Sequence, residues 1–194
     1  MTIIKRQSYD VDTNDMSVYV NDFELSAAQD FIQSLLQLEK DPLLSDIFVY
    51  VTSYGGDCSG LTAMIEAIKN SSKNVHMIGM GYNYSAGGLL IMTGPRGNRW
   101  IGKNSFLHIH EVQDVIFGST TNIKRSVKHL EMIQERLFDL LVQNSLLTID
   151  LLKSKIKEHD GEWLITPHEA LELELIDRIG IPKVKVSTIW ELES

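Results

Sequence analysis

An α/β fold on a mostly parallel sheet is what the sequence predicts, and three observations carry the expectation. Apolar runs of strand length, at residues 18–20, 47–52 and 75–78, alternate with segments whose apolar residues recur at helical spacing. Paired or near-paired glycines close two of those runs, Gly55-Gly56 and Gly79-Met80-Gly81. One late segment, residues 121–147, is periodic over a length that a small core does not need. Strand, helix and parallel strand in one sheet are joined by right-handed crossovers.

Taken in order, residues 1–15 are polar, with Asp10, Asp12, Asn14 and Asp15 close together, and read as an arm or loop. Val18-Tyr19-Val20 starts the globular part. Ser26-Ala27-Ala28-Gln29 reads as a capping box that opens a helix marked by Phe31, Ile32, Leu35, Leu36 and Leu38, and Asp41-Pro42 stops it. After Gly55-Gly56, the spacing of Leu61, Met64, Ile65 and Ile68 describes a second amphipathic helix. Residues 75–78 form the next strand, ending in the glycines, and the segment after Ser85 forms a short helix of small and apolar residues. Thr93-Gly94-Pro95-Arg96-Gly97-Asn98 is a turn cluster, followed by short strands at 99–101 and 105–110. Along the long segment, Ile123, Val127, Leu130, Ile133, Leu137, Leu140 and Leu141 mark one stripe. Thr148 opens a further helix ending near Gly161. Thr166-Pro167-His168-Glu169 combines an N-cap, a proline at the first helical position and a capping glutamate, for a helix through Leu175. Val184-Lys185-Val186 alternates like an edge strand, and Trp190 with Leu192 would dock the tail.

Composition narrows the class. A chain of 194 residues, 43% hydrophobic and 23% charged, has room for one domain with a sizeable core. The net charge of −8 argues against nucleic acid as a default partner. The lone Cys58 excludes an internal disulfide or a multi-cysteine metal site and suits a reducing compartment. No apolar run approaches the roughly 18 residues of a membrane span, and residues 1–6 lead into polar sequence rather than an apolar signal core. The expected location is the cytoplasm.

The chemistry centres on Ser85, a hydroxyl at a strand-to-helix corner. Taken alone, such a serine is more often a helix N-cap. The other reading is a nucleophile beside free backbone N–H groups that stabilise an oxyanion. Asn83-Tyr84-Ser85-Ala86-Gly87 lacks the first glycine of the nucleophile elbow, so an α/β-hydrolase is not supported. Two segments add partners: the strand entering Gly55-Gly56, where backbone can approach a ligand, and Ser105-Phe106-Leu107-His108-Ile109-His110, whose last histidine meets a loop. Together they supply a candidate oxyanion hole, nucleophile and base. Cys58, two residues past the glycines, is an alternative nucleophile but more commonly a small buried hydrophobe.

The chain resembles the proteolytic subunit of the Clp protease, the ClpP family. That family carries a Ser-Pro-Gly-Gly turn, a serine in a Gly-Met-Gly-x-x-x-Ser context and an Asn-Ser-x-x-x-Ile-His strand. This sequence reads Ser53-Tyr54-Gly55-Gly56, Gly79-Met80-Gly81-Tyr82-Asn83-Tyr84-Ser85 and Asn104-Ser105-Phe106-Leu107-His108-Ile109-His110. The intervals of 29 residues from Gly56 to Ser85 and 25 from Ser85 to His110 also match. The resemblance spans roughly residues 16 to 180. It implies an α/β superhelix of ββα units, shared with crotonases, with a long handle helix through which two heptameric rings interlock as a tetradecamer. It divides the single domain, 1–194, into an N-terminal arm (1–15), a head (16–118 and 148–180), the handle (119–147) and a C-terminal tail (181–194).

By that resemblance Ser85 is the nucleophile, His110 the general base, and the N–H groups of Gly56 and Ala86 the oxyanion hole, with His108 a packed or surface decoy. Family members place an Asp eight residues before the Ala of a Ser/Thr-Ala-x-Glu-Ala helix start. Counting back from Ala170 lands on Glu162, with Asp160 the alternative acid two residues earlier. A peptide would bind extended beside Asp57, Cys58, Gln113 and Asp114, and Asp57 and Asp114 would disfavour acidic peptides. The sequence departs at Tyr54 for the family proline, Ala86 for methionine, Glu111-Val112 for Gln-Pro, and Gly161 for an arginine that helps hold the rings. The family's N-terminal pore loops, which contact an AAA+ unfoldase, are longer than the arm here, so that partner stays open.

The expected function is therefore serine endopeptidase action on unfolded proteins or peptides, with no metal or nucleotide cofactor required by the chemistry. A histidine base should lose activity on protonation, at roughly pH 6 to 7. Rival readings are a ClpP-like structural subunit without activity, a crotonase-type acyl-CoA enzyme, and a Ser-Lys protease with Lys103 as base.

Overall fold

A computed structural model describes residues 16–183. Seven strands form one sheet: β1 (Ser17–Val20), β2 (Asp46–Ser53), β3 (Asn74–Tyr84), β4 (Arg99–Ile101), β5 (Phe106–His110), β6 (Glu162–Ile165) and β7 (Arg178–Ile179). Interspersed are α1 (Leu25–Glu39), α2 (Cys58–Lys69), α3 (Ala86–Met92), α4 (Thr120–Gln143), α5 (Ile149–Glu158) and α6 (Pro167–Glu172). The strand path is β1-β2-β3-β4-β7, with β5 on β3 and β6 on β5. Every pairing is parallel except β5 with β6. The parallel-dominant α/β architecture expected from the alternation is thus the one observed.

The length of β3 is what builds the site. Its first part, Met77 to Gly79, pairs with β4, and its last part, Tyr82 to Tyr84, pairs with β5. One edge of a single strand therefore serves two neighbours in succession. The sequence reading stopped this strand at Ile78 because of the glycines. The strand instead continues past them to Tyr84, with a register shift against β2 between Val51 and Ser53 where Gly81 takes φ +64°. Gly79 has no room for a side chain, since a Cβ would stand 2.6 Å from Ile101 Cδ1 and 2.7 Å from Ile91 Cδ1. That glycine serves packing rather than chain reversal.

The core is one continuous cluster. Ile47, Val49 and Val51 of β2, Val75 and Met77 of β3, and Leu61, Met64, Ile65 and Ile68 of α2 are all buried in it. Burial of each such side chain contributes about 1.5–3 kcal/mol. Helix α3 is buried along its whole length. Helix α4 is the opposite case: only Leu137, Phe138 and Leu141, near its C-terminal end, are buried. Ile123 and Val127 of the apolar stripe are exposed.

Four local expectations are corrected. Helix α1 begins at Leu25 with Glu24 as an N-cap that makes no side-chain bond. The capping box at Ser26 does not form, because Asp22 already turns the chain by accepting from the N–H groups of Phe23 and Glu24. Helix α4 ends at Gln143 rather than Leu147: Asn144 caps it and Leu146 N–H donates to Leu173 O, turning the chain toward α6. Helix α6 ends at Glu172 rather than Leu175, and Glu174 takes φ 53°. The Thr166 N-cap forms as expected, its hydroxyl accepting Glu169 N–H, but the Glu169 carboxylate turns to Lys155 Nζ at 3.4 Å rather than closing the capping box; Thr148 caps α5 through its own hydroxyl. The arm at 1–15 and the segment holding Val184, Val186, Trp190 and Leu192 lie outside the described residues.

No helix among the described residues is long and apolar enough to cross a membrane.

Candidate active site

In a parallel sheet, groups that act on a ligand gather where strands end at their carboxyl edge. Strands β2, β3 and β5 lie side by side here, and the three sequence motifs sit at their C-terminal ends: Gly55-Gly56 after β2, Ser85 after β3, and His110 as the last residue of β5.

Ser85 is held in a strained backbone. It precedes α3 with φ 52° and ψ −122° and makes no side-chain capping bond. A non-glycine residue at positive φ costs of order 1–3 kcal/mol unless its surroundings impose it. They do so here. Ser85 N–H donates to His108 O at 3.0 Å, and Leu89 N–H donates back to Ser85 O at 3.0 Å. The corner is also too tight for larger neighbours: a Cβ on Gly88 would stand 2.8 Å from Asn83 O and 3.1 Å from His108 O. The ordinary cap role is thus absent, and the hydroxyl is free of the helix it introduces.

The Gly55-Gly56 turn is pressed against this corner. A Cβ on Gly55 would stand 2.7 Å from Ser85 Cβ and 3.2 Å from Ala86 N, and Gly55 has φ +100°, a conformation L side chains rarely adopt. Gly55 N–H donates to Ser53 Oγ, whose hydroxyl donates to Asn21 O, which anchors the turn to the loop after β1. Gly56 packs on Phe23, where a Cβ would meet Phe23 Cβ at 3.0 Å. Of the two glycines, Gly55 is the one whose Cβ position would meet Ser85.

The imidazoles present one face of β5. Strand alternation puts His108 and His110 on the same side, with rings stacked 5.4 Å apart, and Tyr84 lies 4.7 Å from the His108 ring. Across the antiparallel ladder His110 is opposite Glu162 and His108 opposite Leu164. The expected acid therefore lies directly across from the expected base. Its carboxylate is nevertheless turned to the other histidine: His108 Nε2 and Glu162 Oε2 are 2.7 Å apart. His110 Nδ1 is buried with no hydrogen-bond partner among the described residues. Burial pushes the His108 imidazole below its ordinary value, and the neighbouring Glu162 carboxylate only partly restores it. The alternative acid, Asp160, is exposed in the turn between α5 and β6 at φ 54°.

The sequence offered one sign of the His108 contact, the Leu-His-Ile-His alternation that gives both imidazoles one face. The β5–β6 register that supplies the carboxylate had none.

The expected peptide-binding residues come from two segments, the start of α2 and the chain after β5. Asp57 caps α2 by accepting from Ser59 N–H, and Cys58 is the first residue of that helix. Gln113 and Asp114 are exposed in the irregular segment following β5, which is tied down where Val112 N–H donates to Gln134 Oε1 of α4. Burial raises the Cys58 thiol, and the charges of Asp57 and then Asp114 raise it further, so both carboxylates lie within electrostatic reach of Cys58. A thiol pushed upward is a poor nucleophile, and the alternative nucleophile is disfavoured on that ground.

A family model described as Clp protease matches residues 9–183, nearly the whole chain. With motifs, parallel-dominant sheet and match in agreement, the chain belongs to the Clp protease family, a family of peptidases.

Proposed function

We propose that this chain is a serine endopeptidase acting on unfolded proteins or peptides, with Ser85 as nucleophile, His110 as general base and Glu162 as the acid that orients it. The observation that carries the reading is Ser85 itself: an uncapped hydroxyl at positive φ, at the carboxyl end of β3, with Gly55 packed on it and β5 ending beside it in His110. Strained non-glycine backbone of this kind concentrates at functional sites. The β5–β6 register favours Glu162 over Asp160 as the acid.

In the reaction, His110 takes the Ser85 proton as Oγ attacks the peptide carbonyl, and the Gly56 and Ala86 N–H groups hold the oxyanion of the tetrahedral intermediate. His110 then gives its proton to the leaving amine, and water resolves the acyl-enzyme by the same path. A peptide would lie extended past Asp57, Cys58, Gln113 and Asp114.

Members of this family generally form rings. The exposed Ile123 and Val127 of α4 fit burial between copies, and heptameric rings stacked as a tetradecamer are the assembly proposed.

The deciding experiment treats the purified chain with a fluorophosphonate probe and maps the label while native mass is recorded. Label on Ser85 that His110→Ala abolishes supports the peptidase. Unlabelled protein in a correctly assembled ring supports a structural subunit instead, and a monomer removes the ring.

A further inference from the structure

One carboxylate faces two imidazoles in this site, and it is on the farther one. In an antiparallel pair, directly opposed residues have Cβ atoms about 4.5–5.5 Å apart and diagonal neighbours about 7–8 Å. Glu162 is opposite His110 and diagonal to His108. It leans along the strand to reach His108 Nε2 at 2.7 Å. His110 Nδ1 is left buried and unpartnered, and in a Ser-His-acid triad the imidazole needs the acid to fix its tautomer and orientation.

The geometry points to His108 as a positioning residue that holds the triad carboxylate away from His110, so that the enzyme rests with an unoriented base and becomes competent when Glu162 moves one diagonal step. This rests on the reading of Ser85, His110 and Glu162 as the triad.

The two partners differ in freedom. The Glu162 side chain is 55% exposed and able to change rotamer. His108 is 9% exposed, with Tyr84 of β3 against its ring and His110 stacked on it from its own strand. Its Nδ1 is also buried without a partner among the described residues, so Glu162 is the polar group that fixes this ring. With burial pushing the His108 imidazole down, the ring is neutral near pH 7, and its Nε2–H donates to the carboxylate. Such a bond from a neutral donor, half open to water, is strong enough to set the resting rotamer. It is also weak enough for substrate binding to reverse it.

The test replaces His108 by Leu and, in a second variant, by Met, which fills irregular space without a polar atom. Crystal structures of the full chain read the position of the carboxylate. Peptide hydrolysis and the rate of fluorophosphonate labelling read the chemistry. In His108→Leu the Glu162 carboxylate should stand within hydrogen-bond distance of His110. The expected kinetic result is a rise in kcat and in labelling rate of roughly five- to tenfold with KM unchanged, because the competent fraction grows while the peptide groove is untouched.

A carboxylate that stays off His110 in the variants, with kcat unchanged and Ser85 still labelled, overturns the positioning role and leaves the peptidase standing. A carboxylate that moves to His110 in a chain whose Ser85 takes no label supports the positioning role and removes the peptidase. Should neither variant fold, the probe-bound wild-type structure decides: Glu162 on His110 supports the proposal, and Glu162 still on His108 overturns it.

Discussion

Replacing Asp177 by Ala should destabilise this fold strongly, because a buried guanidinium depends on it. Arg99 is 1% exposed. Its Nε and Nη2 donate to the two Asp177 oxygens at 3.0 and 2.8 Å, while Nη1 donates to Met92 O at 3.0 Å and Asn144 O at 2.7 Å. Asp177 also accepts the backbone N–H groups of Gly97 and Arg99. The pair therefore ties β4 to the end of α3, the end of α4 and the start of β7. Removing one member of a buried pair typically costs 3–5 kcal/mol, since the remaining charge is left uncompensated. A domain of this size has roughly 5–15 kcal/mol of stability and loses about 2–4 °C of Tm per kcal/mol. A fall of about 10 °C is expected by calorimetry.

The pH dependence gives a second readout. Burial raises the Asp177 carboxyl, but the hydrogen bonds and charge of Arg99 outweigh it and leave the group below its ordinary value. Its contribution is thus present above the unfolded value of about 3.9 and is lost as pH falls through the lower folded value. Wild type should lose part of its stability below about pH 4 that Asp177→Ala no longer has to lose. A Tm change under about 2 °C, with the same acid dependence in both proteins, would refute the assignment of Arg99 and Asp177 as a structural tie.

Two further outcomes concern the site. Gly55→Ala adds a Cβ 2.7 Å from Ser85 Cβ at φ +100°, so the turn or the serine has to shift; displacements near 1 Å cost about a hundredfold in rate. Loss of kcat/KM on that scale, with the circular dichroism spectrum retained, is expected, and activity within threefold of wild type would show that the turn does not set the Ser85 geometry. Matched acidic and basic peptides should differ by roughly three- to tenfold in kcat/KM in favour of the basic one at low salt, because Asp57 and Asp114 flank Cys58, and salt should narrow the gap. Equal rates at low salt would remove those carboxylates from the groove.

What was legible in the sequence followed from local patterns that tertiary packing left alone. The apolar period of α2, the helix start at Thr148 and the N-cap at Thr166 are written in single stretches of chain, and they formed where the pattern put them. The Ser26 capping box was a pattern of the same kind, yet an Asp22 turn earlier in the chain had already started the helix. The glycines of β3 misled for a different reason. The small size of Gly79 answers the side chains of Ile91 and Ile101, which come from other elements, while Gly81 takes φ +64° inside the strand, so no local rule distinguishes them from turn glycines.

The candidate site divides along the same line. Ser85, His110 and the paired glycines lie at strand ends, and a strand end is legible when an apolar run meets small or polar residues. The choice between Glu162 and Asp160 depends on how β6 lies against β5, and the choice between His108 and His110 depends on where one side chain leans across that ladder. A shift of one residue in that register would turn Glu162 to the other face and leave both imidazoles without an acid. Turn geometry sets the register: Asp160 and Gly161 adopt φ 54° and 93°, and Gly161 N–H closes on Ile156 O at 2.8 Å, which launches β6 with Glu162 opposite His110. Gly161 thus has a local task of its own, since an L residue at φ 93° would strain the turn that aims the acid.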